Sequence, residues 1–361
     1  MPSENNIIVA SAGSRKTTYI VENALKIPKD ESILILAYTN NTLGQIRKYI
    51  IERIGFVPPN ITIQSWHSFL LTECIKPYQN IIYDKHRIEQ IFYPVDIGDF
   101  KRSRRFIKKS NIEKYFFVNL RYIISEHLSE FALMCNFYSG GMVINRLKEI
   151  YKHVYIDESQ DLAGYDFQIV ESFLESEIKS TLVGDCRQAT YFTNNSTKNR
   201  KFKGSNIIDL FKQWEADGLC EIEEKNECYR SNQKICDFGD RLYSDLISTK
   251  SVGIEETKHD GIFLLEEKQI EKYVEEYKPI ILRDTLKTNT YGLPAFNFGA
   301  VKGLTFNRVL IFPNNPIREY IKDGNPEKLK PITKAKFYVG ITRARYSVAI
   351  VYEGESFIQT S

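Results

Sequence analysis

Short aliphatic runs interleaved with helical patterns constrain this chain more than any other feature. In the first half the runs are Ile7-Ile8-Val9, Ile33 to Ala37, Ile61-Thr62-Ile63, Val154-Tyr155-Ile156 and Ser180 to Val183. Helix-like stretches follow the first two, from about Thr17 to Leu25 and from about Thr42 to Ile54. A strand that is apolar along its whole length is covered on both faces, which in an α/β chain means a parallel sheet between helices. The second half repeats the style more loosely at Leu219 to Ile222, Ile280-Ile281-Leu282, Val309 to Phe312 and Val348 to Val351. These patterns predict two α/β domains with a boundary near Lys203 to Gly218.

The length of 361 residues suits two or three units at about 150 residues each. No apolar run approaches the roughly 18 residues of a membrane helix, and the opening MPSENNIIVAS is too short for a signal peptide. Six cysteines contain no CxxC pair and lack the spacing of a familiar zinc site, so the expectation is a reducing cytoplasm and no membrane partner. The net charge of +3 hides an uneven distribution. Residues 84–121 carry a net +5, with the cluster Lys101-Arg102-Ser103-Arg104-Arg105-Phe106, whereas residues 253–277 carry a net −5. Solvated helix faces explain the acidic stretch; the basic cluster suits either a solvated face or phosphate neutralisation.

After the first run comes Ala10-Ser11-Ala12-Gly13-Ser14-Arg15-Lys16-Thr17-Thr18, leading into a helical pattern. A loop between a strand and a helix N-terminus aims backbone N–H groups and the helix dipole at an anion. Lys16 would reach the β- and γ-phosphates of a nucleotide, and the Thr17 hydroxyl would hold Mg2+. Ala10 and Arg15 replace both terminal glycines of the GxxxxGK[ST] pattern, so by itself the segment also reads as an ordinary strand–turn–helix. Val154-Tyr155-Ile156-Asp157-Glu158 adds a second piece, an apolar strand ending in two acids. Strand carboxyl ends are where ligands collect in open parallel sheets. There Asp157 can hold Mg2+ and Glu158 can orient and deprotonate an attacking water. The pairing points to an NTPase.

In this setting a series of elements resembles the UvrD/Rep-type superfamily 1 DNA helicases. Ala12 to Thr17 is similar to the family's nucleotide loop, Tyr38-Thr39-Asn40 to its "FTN" element, and Gln64-Ser65-Trp66-His67-Ser68-Phe69 to its "TFHSF" element. Asp157-Glu158-Ser159-Gln160-Asp161 stands for DEAQD, and Val183 to Tyr191 for "VGDxxQxIY". Cys228-Tyr229-Arg230-Ser231 resembles "NYRS", Val301-Lys302-Gly303-Leu304 resembles "SKGLEF", and Tyr338 to Arg345 resembles "YVAxTRA". Each element is weakly specific; eight in the right order form a specific series.

The resemblance implies two RecA-like domains, residues 1–69 with 151–205 and residues 206–361, and a small, helical, basic insertion at 70–150. It implies ATP and Mg2+ as cofactors, with Glu158, Gln188, Arg230 and Arg343 as catalytic groups and the two arginines reaching across the cleft. Ala12, Gly13, Ser14, Arg15, Lys16, Thr17, Thr18, Tyr229 and Gly303 would bind ATP, Tyr229 by stacking on the base, and Thr17 and Asp157 would hold the metal. Tyr38, Asn40, His67, Tyr191 and Lys302 would contact single-stranded DNA, Tyr38 as a stacking platform. Arg15 replaces a glycine, Thr305 a glutamate and Gly299 a histidine. The few residues after Ile281-Leu282-Arg283 leave no room for the family's second accessory insertion. The compact form is similar to the small UvrD-like subunits that accompany a nuclease in prokaryotic antiviral systems such as Gabija. The alternative is an ATP-gated module that senses DNA or nucleotide and switches a partner without processive unwinding.

Overall fold

The computed structural model describes residues 4–358. β1 (Asn6–Ala10) runs through the Ser11–Arg15 loop into α1 (Lys16–Ala24), which lays Ile20, Val21 and Ala24 against the sheet. β2 (Ile33–Ala37) is buried at every position. α2 (Asn40–Ile54) begins where the Thr39 hydroxyl accepts from the Thr42 N–H at 3.2 Å and ends at Gly55, left-handed at φ 86°. β3 (Ile61–Ser65) and the short α3 (Trp66–Phe69) lead into the insertion.

The insertion is not purely helical, as the sequence had suggested. Beside α4 (Ile97–Arg104), α5 (Ile112–Phe116), α6 (Leu128–Tyr138) and α7 (Met142–Ile150) it holds β4 (Gln90–Phe92), β5 (Phe117–Val118) and β6 (Tyr122–Ile124). These strands form a three-stranded sheet in the order β4-β6-β5. Phe116, Phe117, Ile123, Leu128 and Phe131 pack into the same core as Leu34 and Ile156 of the main sheet. The insertion therefore shares its core with the first domain.

The chain returns through β7 (His153–Asp157), α8 (Asp166–Leu174), β8 (Lys179–Gly184), α9 (Ile207–Ala216) and β9 (Glu221–Lys225). The result is a six-stranded parallel sheet in the order β3-β2-β7-β8-β1-β9. Alternate residues serve opposite cores: Ile7, Val9, Leu34 and Leu36 on one face, Ile8, Ala10, Ile33 and Ile35 on the other. The boundary expected at 205/206 lies later in the chain. Ile207, Phe211 and Trp214 of α9 are buried in the first core, and β9 pairs along β1 with Ile222 opposite Ile7. Leu219 to Ile222, read from sequence as part of the second half, thus belongs to the first domain, with Glu221 and Ile222 in its sheet. Three glutamates on β9 keep this edge polar.

The second domain contains β10 (Glu227–Cys228), α10 (Gln233–Asp240), β11 (Lys250–Ser251), β12 (Gly261–Leu265), α11 (Ile270–Tyr277), β13 (Ile280–Arg283), β14 (Phe296–Asn297), β15 (Phe306–Phe312), α12 (Asn315–Asp323), α13 (Pro331–Ile341) and β16 (Ala344–Val351). Five of these strands form a parallel sheet in the order β12-β16-β15-β13-β14. α10, α12 and α13 cover one face and α11 the other. The connection after β13 is confined to residues 284–295 before β14 pairs back onto it. The carboxyl ends of β1, β7 and β8 open toward this second domain, and the cleft between the two carries the site.

Candidate functional site

A cavity of about 380 Å³ lies between the domains, floored by the loop after β1. Two features shape that loop. Gly13 has φ 78°, and a Cβ there would lie 2.7 Å from Cys228 Sγ and 2.8 Å from Arg230 Cβ, so only glycine lets the second domain approach so closely. Arg15 is left-handed at φ 61°, a strain of roughly 1–2 kcal/mol for a residue with a side chain. Its guanidinium lies 4.0 Å from the centroid of the Tyr229 ring, a cation–π stack at the mouth of the cleft. Lys16 Nζ donates to Ser11 O at 3.1 Å, and the Ser14 hydroxyl is buried with no hydrogen-bond partner among the described residues. Thr18 also lines the cavity. Ala12 does not: it is 2% exposed and packs into the second-domain core.

The acids stand opposite. Thr17 Oγ1 donates to Asp157 Oδ2 at 2.9 Å, joining the ends of β1 and β7. Glu158 is left-handed at φ 57°, its N–H donating to Asp157 Oδ1 at 2.9 Å and its carboxylate accepting from Gln160 Nε2. Burial works to raise both carboxyls. It prevails at Asp157, reinforced by the charge of Glu158. At Glu158 the Lys302 and Lys16 ammonium groups outweigh it and hold the carboxylate ionised. Lys302 Nζ lies 3.4 Å from Glu158 and donates to both oxygens of Asp161, at 2.9 and 2.7 Å. The sequence had assigned Lys302 to a DNA strand; its ammonium is instead committed to the acids of the cleft. Burial nevertheless pushes Asp161 up to about 7.

Two arginines reach across from the second domain. Arg343, 1% exposed, donates from Nε to Val339 O at 3.2 Å and from Nη2 to Gln188 Oε1 at 3.0 Å. Gln188 in turn donates to Asp185 Oδ2 at 2.7 Å. Arg230 lines the same cavity and donates to Thr342 O at 3.2 Å. Burial, then the charge of Arg230, pulls Arg343 down to about 9; it stays charged at neutral pH, and an anion arriving beside it would offset the burial. Gly303, at φ 86°, and Tyr229 complete the wall. Gly299 leaves space that Tyr191 fills from the first domain, because a Cβ there would collide with the Tyr191 hydroxyl.

Of the residues expected to bind a strand, Tyr38 and His67 touch, while Tyr191 and Lys302 line the cavity. Asn40 is exposed at the start of α2, and Tyr191 is 47% exposed at the cleft. Tyr38 is half-buried, donates to Phe192 O at 3.3 Å and meets the His67 ring edge-on at 5.4 Å. Burial pushes its phenol up to about 12. His67 is 6% exposed, with Nε2 3.1 Å from Thr193 O, so its ring presents no free face to a strand. Trp66 is buried, donating to Asp166 Oδ1 at 2.8 Å. Sequence reasoning assigned no role to Asp161 and Asp185. Both lie just beyond strand ends within the quoted motifs, which was the available signal.

No protein-family model matches the chain, and no curated protein matches it. Solved structures do. The arterivirus nonstructural protein 10 (helicase) in complex with DNA aligns with a TM-score of 0.50 at 12% identity, over 99% of this chain and 61% of that one. The crystal structure of arterivirus nonstructural protein 10 (helicase) gives 0.49 at 11%, over 96% and 59%. The chain thus spans about three-fifths of the length of those proteins. It shares the fold of a helicase, two RecA-like parallel-sheet domains facing each other across a cleft.

Proposed function

We propose that this chain is an ATP-dependent, single-strand-directed DNA translocase or helicase of the UvrD/Rep type, hydrolysing ATP between its domains. The observation that carries the reading is the line Asp185–Gln188–Arg343, which ties the end of β8 to the second domain beside Lys16 and Glu158. The residues fit a nucleotide. The cavity has the volume of a ligand site, the Ser14 hydroxyl is buried and unpartnered among the described residues, and Lys16 has only a carbonyl to hold. Thr17 and Asp157 supply the hard oxygen ligands that Mg2+ prefers. Mg2+ held by these residues would supply positive charge to neutralise the phosphates.

In this mechanism Lys16 and the loop N–H groups receive the triphosphate. Glu158, held ionised by Lys302 and Lys16, accepts the proton of the attacking water. Arg230 and Arg343 spread positive charge over the transferring phosphoryl group. Gln188 senses its loss, because its carbonyl already belongs to Arg343 and its amide to Asp185. Asn40, Tyr191 and Tyr38 form the strand contacts, Tyr38 after rearrangement of its edge packing on His67.

The test is phosphate release by the purified chain with ATP and Mg2+, with and without single-stranded DNA. Strong stimulation by the strand is the expected result. Bound ATP without hydrolysis in either condition would favour the sensing module instead. A nuclease partner and a role in cytoplasmic antiviral defence rest on the resemblance alone. Co-purification from the native host tests the partner, and loss of phage protection on deletion tests the role. No helix among the described residues is long and apolar enough to cross a membrane.

A further inference from the structure

Arg187 stands next to Gln188, yet its side chain turns away from the cavity and is 3% exposed. Its Nη1 lies 3.2 Å from Ser11 Oγ, where the phosphate loop leaves β1. The same nitrogen lies 3.1 Å from Thr249 Oγ1, 3.4 Å from the Tyr338 hydroxyl and 3.4 Å from Asp240 Oδ1, all in the second domain. Nη2 donates to Ile247 O. Thr249 closes the ring, its hydroxyl donating to Asp240 Oδ1 at 2.9 Å and lying 3.1 Å from Ser11 Oγ. One guanidinium therefore joins three pieces: the root of the phosphate loop, the turn that carries Gln188, and the second domain.

Each piece leads to the nucleotide. Ser11 O accepts from Lys16, Arg187 adjoins Gln188, and Tyr338 lies in the last turn of α13, just ahead of Arg343 in the chain. A buried charge is tolerated when it is paired and costs several kcal/mol when its partner is withdrawn. Asp240, the carboxylate 3.4 Å from the guanidinium, belongs to the opposite domain, so separating the domains removes that ion pair and leaves Arg187 only the nearby charge of Asp185.

We propose that Arg187 is a positioning residue, a clasp at the back of the cleft that holds the two domains closed and so sets nucleotide affinity. It touches no phosphate. This inference deepens the ATPase reading above and rests on it for its kinetic consequence only. Where a ligand binds the closed state, its apparent affinity falls with the fraction closed, while saturating ligand restores closure.

The experiment compares wild type with Arg187→Gln and Arg187→Lys. Every cysteine of the chain is buried, so dyes can be directed to cysteines introduced at the exposed Lys29 and Lys322, one on each domain. Arg187→Gln is expected to lower the high-transfer population without nucleotide, and saturating ATP to restore it. KM for ATP should rise about tenfold with kcat within about twofold. Arg187→Lys should fall between, keeping the charge against Asp240 but losing the fork. An unchanged closed population, or a fall in kcat at constant KM, overturns the proposal. If Arg187→Gln does not fold, Thr249→Val must shift the population the same way, and no shift there overturns it equally. Should wild type bind ATP without hydrolysing it, the transfer measurement still decides the clasp, and only the ATPase reading fails.

Discussion

Arg343 of the second domain donates through Nη2 to Gln188 Oε1 of the first at 3.0 Å, spanning the cleft with no charged partner at that nitrogen. A planar fork is needed to hold Gln188 while Nη1 reaches Leu304 O at 3.3 Å. Arg343→Lys is therefore expected to lower kcat by about 10³-fold, the magnitude associated with such arginines, while ATP binding changes little. Steady-state kinetics beside equilibrium nucleotide binding check both halves.

Lys16 makes no ion pair within 4 Å among the described residues, and its Nζ bonds Ser11 O at 3.1 Å, which leaves it able to turn to a phosphate. Lys16→Ala should abolish turnover and leave the melting temperature close to wild type. Normal turnover in that variant would remove the loop from the mechanism.

Glu158→Gln keeps the size of the side chain and removes the base that Lys302 and Lys16 hold ionised. ATP binding should persist and hydrolysis stop. Filter binding alongside phosphate release separates the two outcomes.

Tyr38 is half-buried, and its hydroxyl bonds Phe192 O. If its ring stacks on a base, Tyr38→Ala weakens single-strand affinity by about 1–3 kcal/mol, while Tyr38→Phe stays near wild type. Unchanged affinity in the alanine variant assigns the ring to packing against His67.

Glu130 anchors the insertion through Lys109 and His127, the latter at 3.6 Å. Burial would raise its carboxyl, but bonds from His127 and Lys109 prevail and hold it at about 2, against an ordinary 4.5. A folded-state value below the unfolded one stabilises above pH 4.5, and that stability is lost as pH falls toward 2. Denaturation of wild type and Glu130→Gln at several pH values should show the difference shrinking by about 1–2 kcal/mol over that window, after allowance for the hydrated side of Lys109.

Much of the first domain was legible because β1, β2, β3, β7 and β8 are continuous apolar runs, a pattern that local sequence displays directly. β9 was legible as a strand but not as a member of the first sheet. Its glutamates follow from an edge position, and an edge carries no mark of which sheet it closes. The insertion strands were missed because they are two or three residues long and exist only through the core they share with α6. The ion pairs of Lys302 were not legible because a motif gives a lysine's position along the chain without the two acids that face it.

The sequence alone displayed the two α/β units, the loop after β1 with its Lys-Thr pair, and the acids at the end of β7. These depend on apolar periodicity and on residues close together in the chain. Only the tertiary structure decided which charges neutralise each other. Lys302 faces Glu158 and Asp161 from residues more than 140 positions away, and Arg187 finds Asp240 across the domain boundary. Such pairings arise because a charge buried by folding takes whatever partner the packing brings within reach, and no local pattern records which one that is.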